Sequence, residues 1–265
     1  MPELSVNGVN LYYQDDGNGP PLLLIAGLTS DGASWAPIIS KLTEKYRVIS
    51  PDNRGCGRTL PPPDEVTIDG MADDAAALLE HLKVSKANVF GHSMGGVVSM
   101  TLAAKYPDRI NRLALMASGP KANARTRSVI DNLLALREAG APDIEWYREW
   151  FHWLFHSSFF ENKSAVDASI ALAANYARRQ SAGNMRAQVE AMRDYDAAEH
   201  LAKINAPTLI LGGDADLLYP PEEFEAAYAD LRDKRFLTIA QTAHSLHWDR
   251  PEATVNALND FFGVI

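Results

Sequence analysis

Gly91-His92-Ser93-Met94-Gly95 spells G-x-S-x-G. A serine between glycines does chemistry only in one context: a buried strand ends just before it and a helix opens just after. Both flanks fit. Residues 87–90 read as a short apolar strand, and residues 94–105 as a helix stopped by Pro107. On such a turn the Ser93 hydroxyl projects over the sheet edge. The Met94 N–H faces the same space from a helix N-terminus, where positive potential favours an oxyanion. A serine hydroxyl is a weak nucleophile until a base takes its proton. Of seven histidines, His244 follows a strand-like stretch at 235–240 and precedes the last helix, on the sheet edge that also carries Ser93. His247 is its rival, and the His92 side chain is expected to point away. The base needs a carboxylate to hold its tautomer. Asp214 and Asp216 both lie just past the strand at 208–211, in the chain order serine, acid, histidine. The chemistry implied is acyl transfer at a carbonyl.

The elements that must hold these residues alternate. Residues 11–14, 22–26, 46–50, 87–90 and 110–116 read as strands, with helices at 35–42, 67–82 and 94–105 between them. The apolar run at 22–26 suits a strand buried on both faces. Residues 52–65 are too rich in Gly and Pro for anything but loop. From 120 to about 205 the pattern is helical throughout. Strands at 208–211 and 235–240 then return, with helices at 222–231 and 251–262. The expected fold class is α/β: a mostly parallel sheet flanked by helices, interrupted by a helical block above the carboxyl edge, where ligands bind in open sheets. The boundaries are 1–119 and 205–265 for the core and 120–204 for the insertion.

With these residues in place, the chain resembles the α/β-hydrolase superfamily. Gly213-Asp214-Ala215-Asp216-Leu217-Leu218-Tyr219-Pro220 is similar to the family's G-x-x-D-x-x-x-P acid loop, which selects Asp216 over Asp214. His244, followed by Asp249 and Pro251, resembles its histidine loop. Residues 52–58, DNRGCGR, look like its D-x-R-G-x-G turn, which is structural, and Trp35 stands at the tryptophan of its first helix. The resemblance makes the helical block a lid and Leu28 the donor of a second oxyanion amide. One departure is visible. The family has His-Gly after its third strand, whereas this chain has Ala26-Gly27. In lacking that histidine it resembles 3-oxoadipate enol-lactonase-like members, which implies a small lactone or ester as substrate. A serine nucleophile also separates it from the family's haloalkane dehalogenases and epoxide hydrolases, which use aspartate.

Composition narrows the field further. The chain has 265 residues, 46% of them hydrophobic, with 25 Lys+Arg against 34 Asp+Glu and a net charge of −9. That balance repels phosphate backbones, so no nucleic-acid partner is expected. One cysteine, Cys56, rules out an internal disulfide and suits a reducing compartment. No signal peptide or membrane-spanning run is read, and the expected location is cytoplasmic. His152 and His156 stand four apart, but Trp153 replaces the glutamate of a zinc-protease helix, so a structural role is expected. Gly27 and Gly32 have P-loop spacing without its lysine, and no G-x-G-x-x-G occurs. No metal or cofactor is therefore expected. The aromatic stretch from Trp146 to Phe160 reads as packing, as a pocket wall above Ser93, or as both.

The expected function is a serine hydrolase of a small carboxylic ester or lactone, with Ser93, His244 and Asp216 as triad and the amides of Leu28 and Met94 as oxyanion hole. Carbon–carbon bond hydrolysis or perhydrolysis on the same triad is the alternative, and a ligand receptor with slow turnover is a further one. The oligomeric state is left open.

Overall fold

The computed structural model describes residues 3–61 and 65–263. Among these described residues eight strands form one sheet in the order β1-β2-β4-β3-β5-β6-β7-β8. They are β1 (Glu3–Val6), β2 (Val9–Asp16), β3 (Pro21–Ile25), β4 (Arg47–Pro51), β5 (Ala87–His92), β6 (Ile110–Met116), β7 (Thr208–Gly213) and β8 (Lys234–Ile239). The pairs β1–β2 and β2–β4 are antiparallel, and all other neighbours are parallel.

The continuous apolar runs form the centre of this sheet, where both faces are covered. Successive side chains take opposite faces. Leu23, Ile25, Val89, Leu113 and Leu115 share one core with α2 (Ile68–His81) and α3 (Met94–Lys105). Leu22, Leu24, Phe90, Ala114 and Met116 pack on the other side with Trp35, Leu42 and α11 (Pro251–Phe262).

Three elements differ from the sequence expectation. β1 was not anticipated, yet its signal is local: Asn7-Gly8 joins it to β2 with φ of 46° and 80°, the backbone that a two-residue hairpin requires. The helix expected at 35–42 is instead a 3-10 turn at Gly32–Trp35 followed by the short α1 (Ile39–Thr43). Pro37 supplies no N–H through which one helix could continue. The helix expected at 222–231 shortens to a turn at Pro221–Glu223 and α9 (Phe224–Ala227). Tyr228 then leaves the helix, is buried, and donates its hydroxyl to Ser118 O at 2.9 Å.

Between β6 and β7, which pair with each other, the chain makes α4 (Ala124–Glu138), α5 (Asp143–Leu154), α6 (Lys163–Ala174), α7 (Ala182–Arg193) and α8 (Ala198–Leu201). Trp146 and Trp150 of α5 join the core beside α2 and α3. Phe151 packs with Val166 and Ile170 in a small separate cluster, against which Phe155, Phe159 and Phe160 lie. Much of the aromatic stretch thus serves packing. His152 stacks on Phe160 with ring centroids 5.1 Å apart. Among the described residues no group of three or more His, Cys, Asp or Glu could hold a metal ion, and no helix is long and apolar enough to cross a membrane.

Candidate active site

Ser93 sits between β5 and α3 with φ 53° and ψ −121°, a left-handed conformation that is strained for a residue with a side chain. Close packing holds it there. A Cβ on Gly95 would lie 2.0 Å from Ile25 O, and one on Gly91 would lie 2.4 Å from Gly95 O. Only glycine lets the helix start cross β3 so closely. The Ser93 N–H donates to Met116 O at 2.9 Å, and Ser118 Oγ donates to Ser93 O at 2.8 Å. The side chain is partly exposed. Among the described residues Ser93 Oγ makes no hydrogen bond to His244.

His244 lies on the loop before α10 (Leu246–Asp249). Its Nδ1–H donates to Asp216 Oδ2 at 3.0 Å, and both side chains are buried. A proton held on Nδ1 leaves Nε2 as the acceptor of the neutral ring. Asp216 Oδ1 accepts the N–H groups of Leu218 and Tyr219 at 2.8 and 3.1 Å. The carboxylate is therefore aimed from both ends. Asp214 is exposed and accepts from Thr242 N–H at 3.2 Å instead. Of the two acids near β7, only Asp216 meets the histidine.

The two other histidines of this region are buried beside the first. The His92 ring lies 5.0 Å from that of His244 and 4.9 Å from that of His247. Its Nε2–H donates to the His244 carbonyl at 3.0 Å. Burial, reinforced by its two neighbours, holds His92 well below the usual imidazole range. His247 packs against Trp35, and burial pushes it down to about 3. Both are neutral packing groups at ordinary pH.

The turn after β3 presses against the serine. A Cβ on Gly27 would come 3.2 Å from Ser93 Cβ, so Leu28 follows one residue after this contact. Among the described residues the N–H groups of Leu28 and Met94 have no acceptor, although both residues are buried. Sequence reasoning missed what braces this turn: Asn53 Nδ2 donates to Ala26 O at 2.8 Å. Asn53 belongs to the DNRGCGR loop, whose Arg54 is turned away into a buried bidentate pair with Asp74 (2.6 and 2.9 Å). Asp249 has a second role that its place in the histidine-loop motif does not reveal. Its Oδ2 accepts from Ala243 N–H at 2.9 Å and from His156 N–H at 3.1 Å, so it ties the histidine loop to the segment after α5.

This arrangement has relatives. Residues 20–251 match the sequence profile of a family described as alpha/beta hydrolase fold. A protein provisionally named carbamate hydrolase RutD, from Azorhizobium caulinodans, is 27% identical over 100% of this chain and 99% of its own length. One provisionally named non-heme bromoperoxidase BpoC, from Mycobacterium tuberculosis, is 29% identical over 97% of this chain and 99% of its own. The crystal structure of the enol-lactonase from Burkholderia xenovorans LB400 superposes with a TM-score of 0.81 at 26% identity, covering 99% of this chain and 100% of that one. With the eight-stranded sheet, the strained serine turn and a profile spanning most of the chain, the chain belongs to the alpha/beta hydrolase fold family.

Proposed function

We propose that the protein is a serine hydrolase of small carboxylic esters or lactones. The observation that carries the reading is the buried 3.0 Å contact between His244 Nδ1 and Asp216 Oδ2, held on the same sheet edge as the strained Ser93 turn. Ser93 Oγ attacks the substrate carbonyl while His244 Nε2 takes its proton. The contact between them closes when substrate is bound, as is common in free sites. Asp216 keeps the proton of His244 on Nδ1 and stabilises the imidazolium that forms. The N–H groups of Leu28 and Met94 receive the oxyanion. His244 then protonates the leaving alcohol or enol, and water, activated by the same ring, releases the acid and frees Ser93. The helices of residues 120–204 form a lid in this reading, and the apolar side chains they turn inward choose the acyl group.

The enol-lactonase relative supports lactones within this class. The relatives whose names point to carbamates and to peroxide chemistry put two further reactions on the same serine. The test is turnover of short and medium p-nitrophenyl esters, small lactones, an aryl carbamate, and acetate with hydrogen peroxide, by wild type and Ser93→Ala. Ester or lactone turnover that disappears in Ser93→Ala supports the proposal. Equal turnover in both proteins removes Ser93 from it, and a preference for carbamate or peroxide replaces the substrate class.

A further inference from the structure

The missing family histidine at Ala26 raises the question of what holds the turn that carries Leu28. One answer comes from 159 residues away. Gln188 of α7 is fully buried, and its Oε1 accepts the Thr29 N–H at 3.4 Å. Thr29 is a non-glycine residue at φ 65°, so its backbone needs outside support. The same carboxamide is itself fixed. Its Nε2 donates to Arg54 O at 2.8 Å, and its Oε1 also accepts from Gln180 Nε2 at 2.9 Å. Gln180 in turn donates to Gly55 O at 2.9 Å. A second grip lies two residues further along the turn: Tyr176 donates its hydroxyl to the buried Asp31 Oδ2 at 2.7 Å. Both Thr29 and Asp31 are thus bonded to side chains from the helical insertion.

We infer that Gln188 is a positioning residue for the oxyanion-binding turn, setting the direction of the Leu28 N–H through the Thr29 amide. The inference rests on the reaction proposed above. The buried polar link has a reason to exist beyond packing. Two carboxamides buried in a core are costly unless satisfied. Here three of their bonds end on the backbone of the two loops beside Ser93, at Thr29 N–H, Arg54 O and Gly55 O. The others go to Cys56 Sγ and to each other, with Gln180 Oε1 left without a partner among the described residues. The consequence is mechanical coupling. A shift of α7 pulls on the amide next to Leu28, so the state of the helical insertion is felt in the oxyanion hole without any contact between the insertion and the oxyanion.

The test is Gln188→Leu, which keeps the bulk and removes the side-chain hydrogen bonds to Thr29, Arg54 and Gln180. Gln188→Met, unbranched and of equal length, serves if the leucine protein does not fold. Active sites are titrated with diethyl p-nitrophenyl phosphate so that rates refer to competent serine. The expected result is a kcat lowered about 10-fold or more with KM within about twofold, since removal of a whole oxyanion donor costs roughly 100- to 1000-fold. Affinity for an alkyl boronic acid, whose tetrahedral adduct uses the same hole, falls by a similar factor. Affinity for the product carboxylate stays unchanged, which a merely structural defect would not achieve. A kcat within twofold of wild type, or equal losses in boronate and product affinity, overturns the inference. Ser93→Ala in the same assay separates the two proposals. Activity surviving there defeats the serine reading, whereas a dead Ser93→Ala beside an unimpaired Gln188 variant defeats only the role of Gln188.

Discussion

Replacing Asp216 by Asn tests the site at its most constrained point. The two oxygens of Asp216 have different duties: Oδ1 accepts two backbone N–H groups at 2.8 and 3.1 Å, and Oδ2 faces His244 Nδ1 at 3.0 Å. An asparagine there has one allowed orientation. Its carbonyl must face the two backbone donors, because turning the NH2 towards them would oppose donor to donor. The NH2 then faces Nδ1, which must accept, and the proton moves to Nε2, where it blocks removal of the Ser93 proton. The predicted loss in kcat is about 10,000-fold, equivalent to about 5.5 kcal/mol of barrier. Shape and both backbone bonds survive, so the unfolding midpoint should move by only a few degrees. The assay is p-nitrophenyl ester hydrolysis beside thermal unfolding, with Asp214→Asn as the control. Asp214 is exposed and bonded to Thr242, so its variant should keep activity within about twofold. A folded Asp216→Asn within tenfold of wild type would refute the reasoning, and a loss confined to Asp214→Asn would reverse the assignment of the two acids.

Other outcomes follow from the same geometry. Gly95→Ala would place a Cβ 2.0 Å from Ile25 O, where strand backbone cannot yield. It should cost about 3 kcal/mol or more, read as a thermal midpoint lowered by roughly 6 °C or more; a midpoint unchanged within 2 °C would show that the crossing is looser than described. Stability should fall as pH drops from about 6.5, because burial holds His92 and His247 below their unfolded value of 6.5, with His247 at about 3. The unfolded chain takes up these protons first, so His247 removes up to about 1.4 kcal/mol per pH unit between those limits, and His92 acts in the same sense. Asp52 and Asp249, raised by burial, act in the opposite sense as they protonate. Urea unfolding at pH 7 and 5.5 checks this, and His247→Gln should flatten the slope; an unaltered slope would mean that His247 is not held neutral. Asp249→Ala leaves the N–H groups of Ala243 and His156 without their acceptor. It should cost about 2 kcal/mol or more and lower kcat through the loosened histidine loop, whereas an unchanged urea midpoint would show that water replaces the carboxylate.

What could be read from residues alone was what is local in the chain. The strand, turn and helix around Ser93 lie within about twenty residues, and their signals are apolar runs, glycines and a proline that act on their own neighbours. The same holds for the apolar centre of the sheet and for α11, whose bounds are those expected. It should also have held for β1, since Asn7-Gly8 is a hairpin signal at sequence level, and for the break at Pro37. The choice between Asp214 and Asp216 was different. Two acids two residues apart have the same composition and reach, and the family resemblance, not the residues themselves, separated them. In three dimensions the turn after β7 sends one carboxylate to buried amides and His244 and leaves the other in water. Tertiary structure alone decided that Asn53 braces Ala26, that His92 supports the His244 carbonyl, and that Gln188 reaches Thr29. Each of these bonds joins chain segments 27, 152 and 159 residues apart. No periodicity records such a pairing, because a hydrogen bond is set by where packing brings two groups, and a buried glutamine looks in sequence like any other polar residue on a helix.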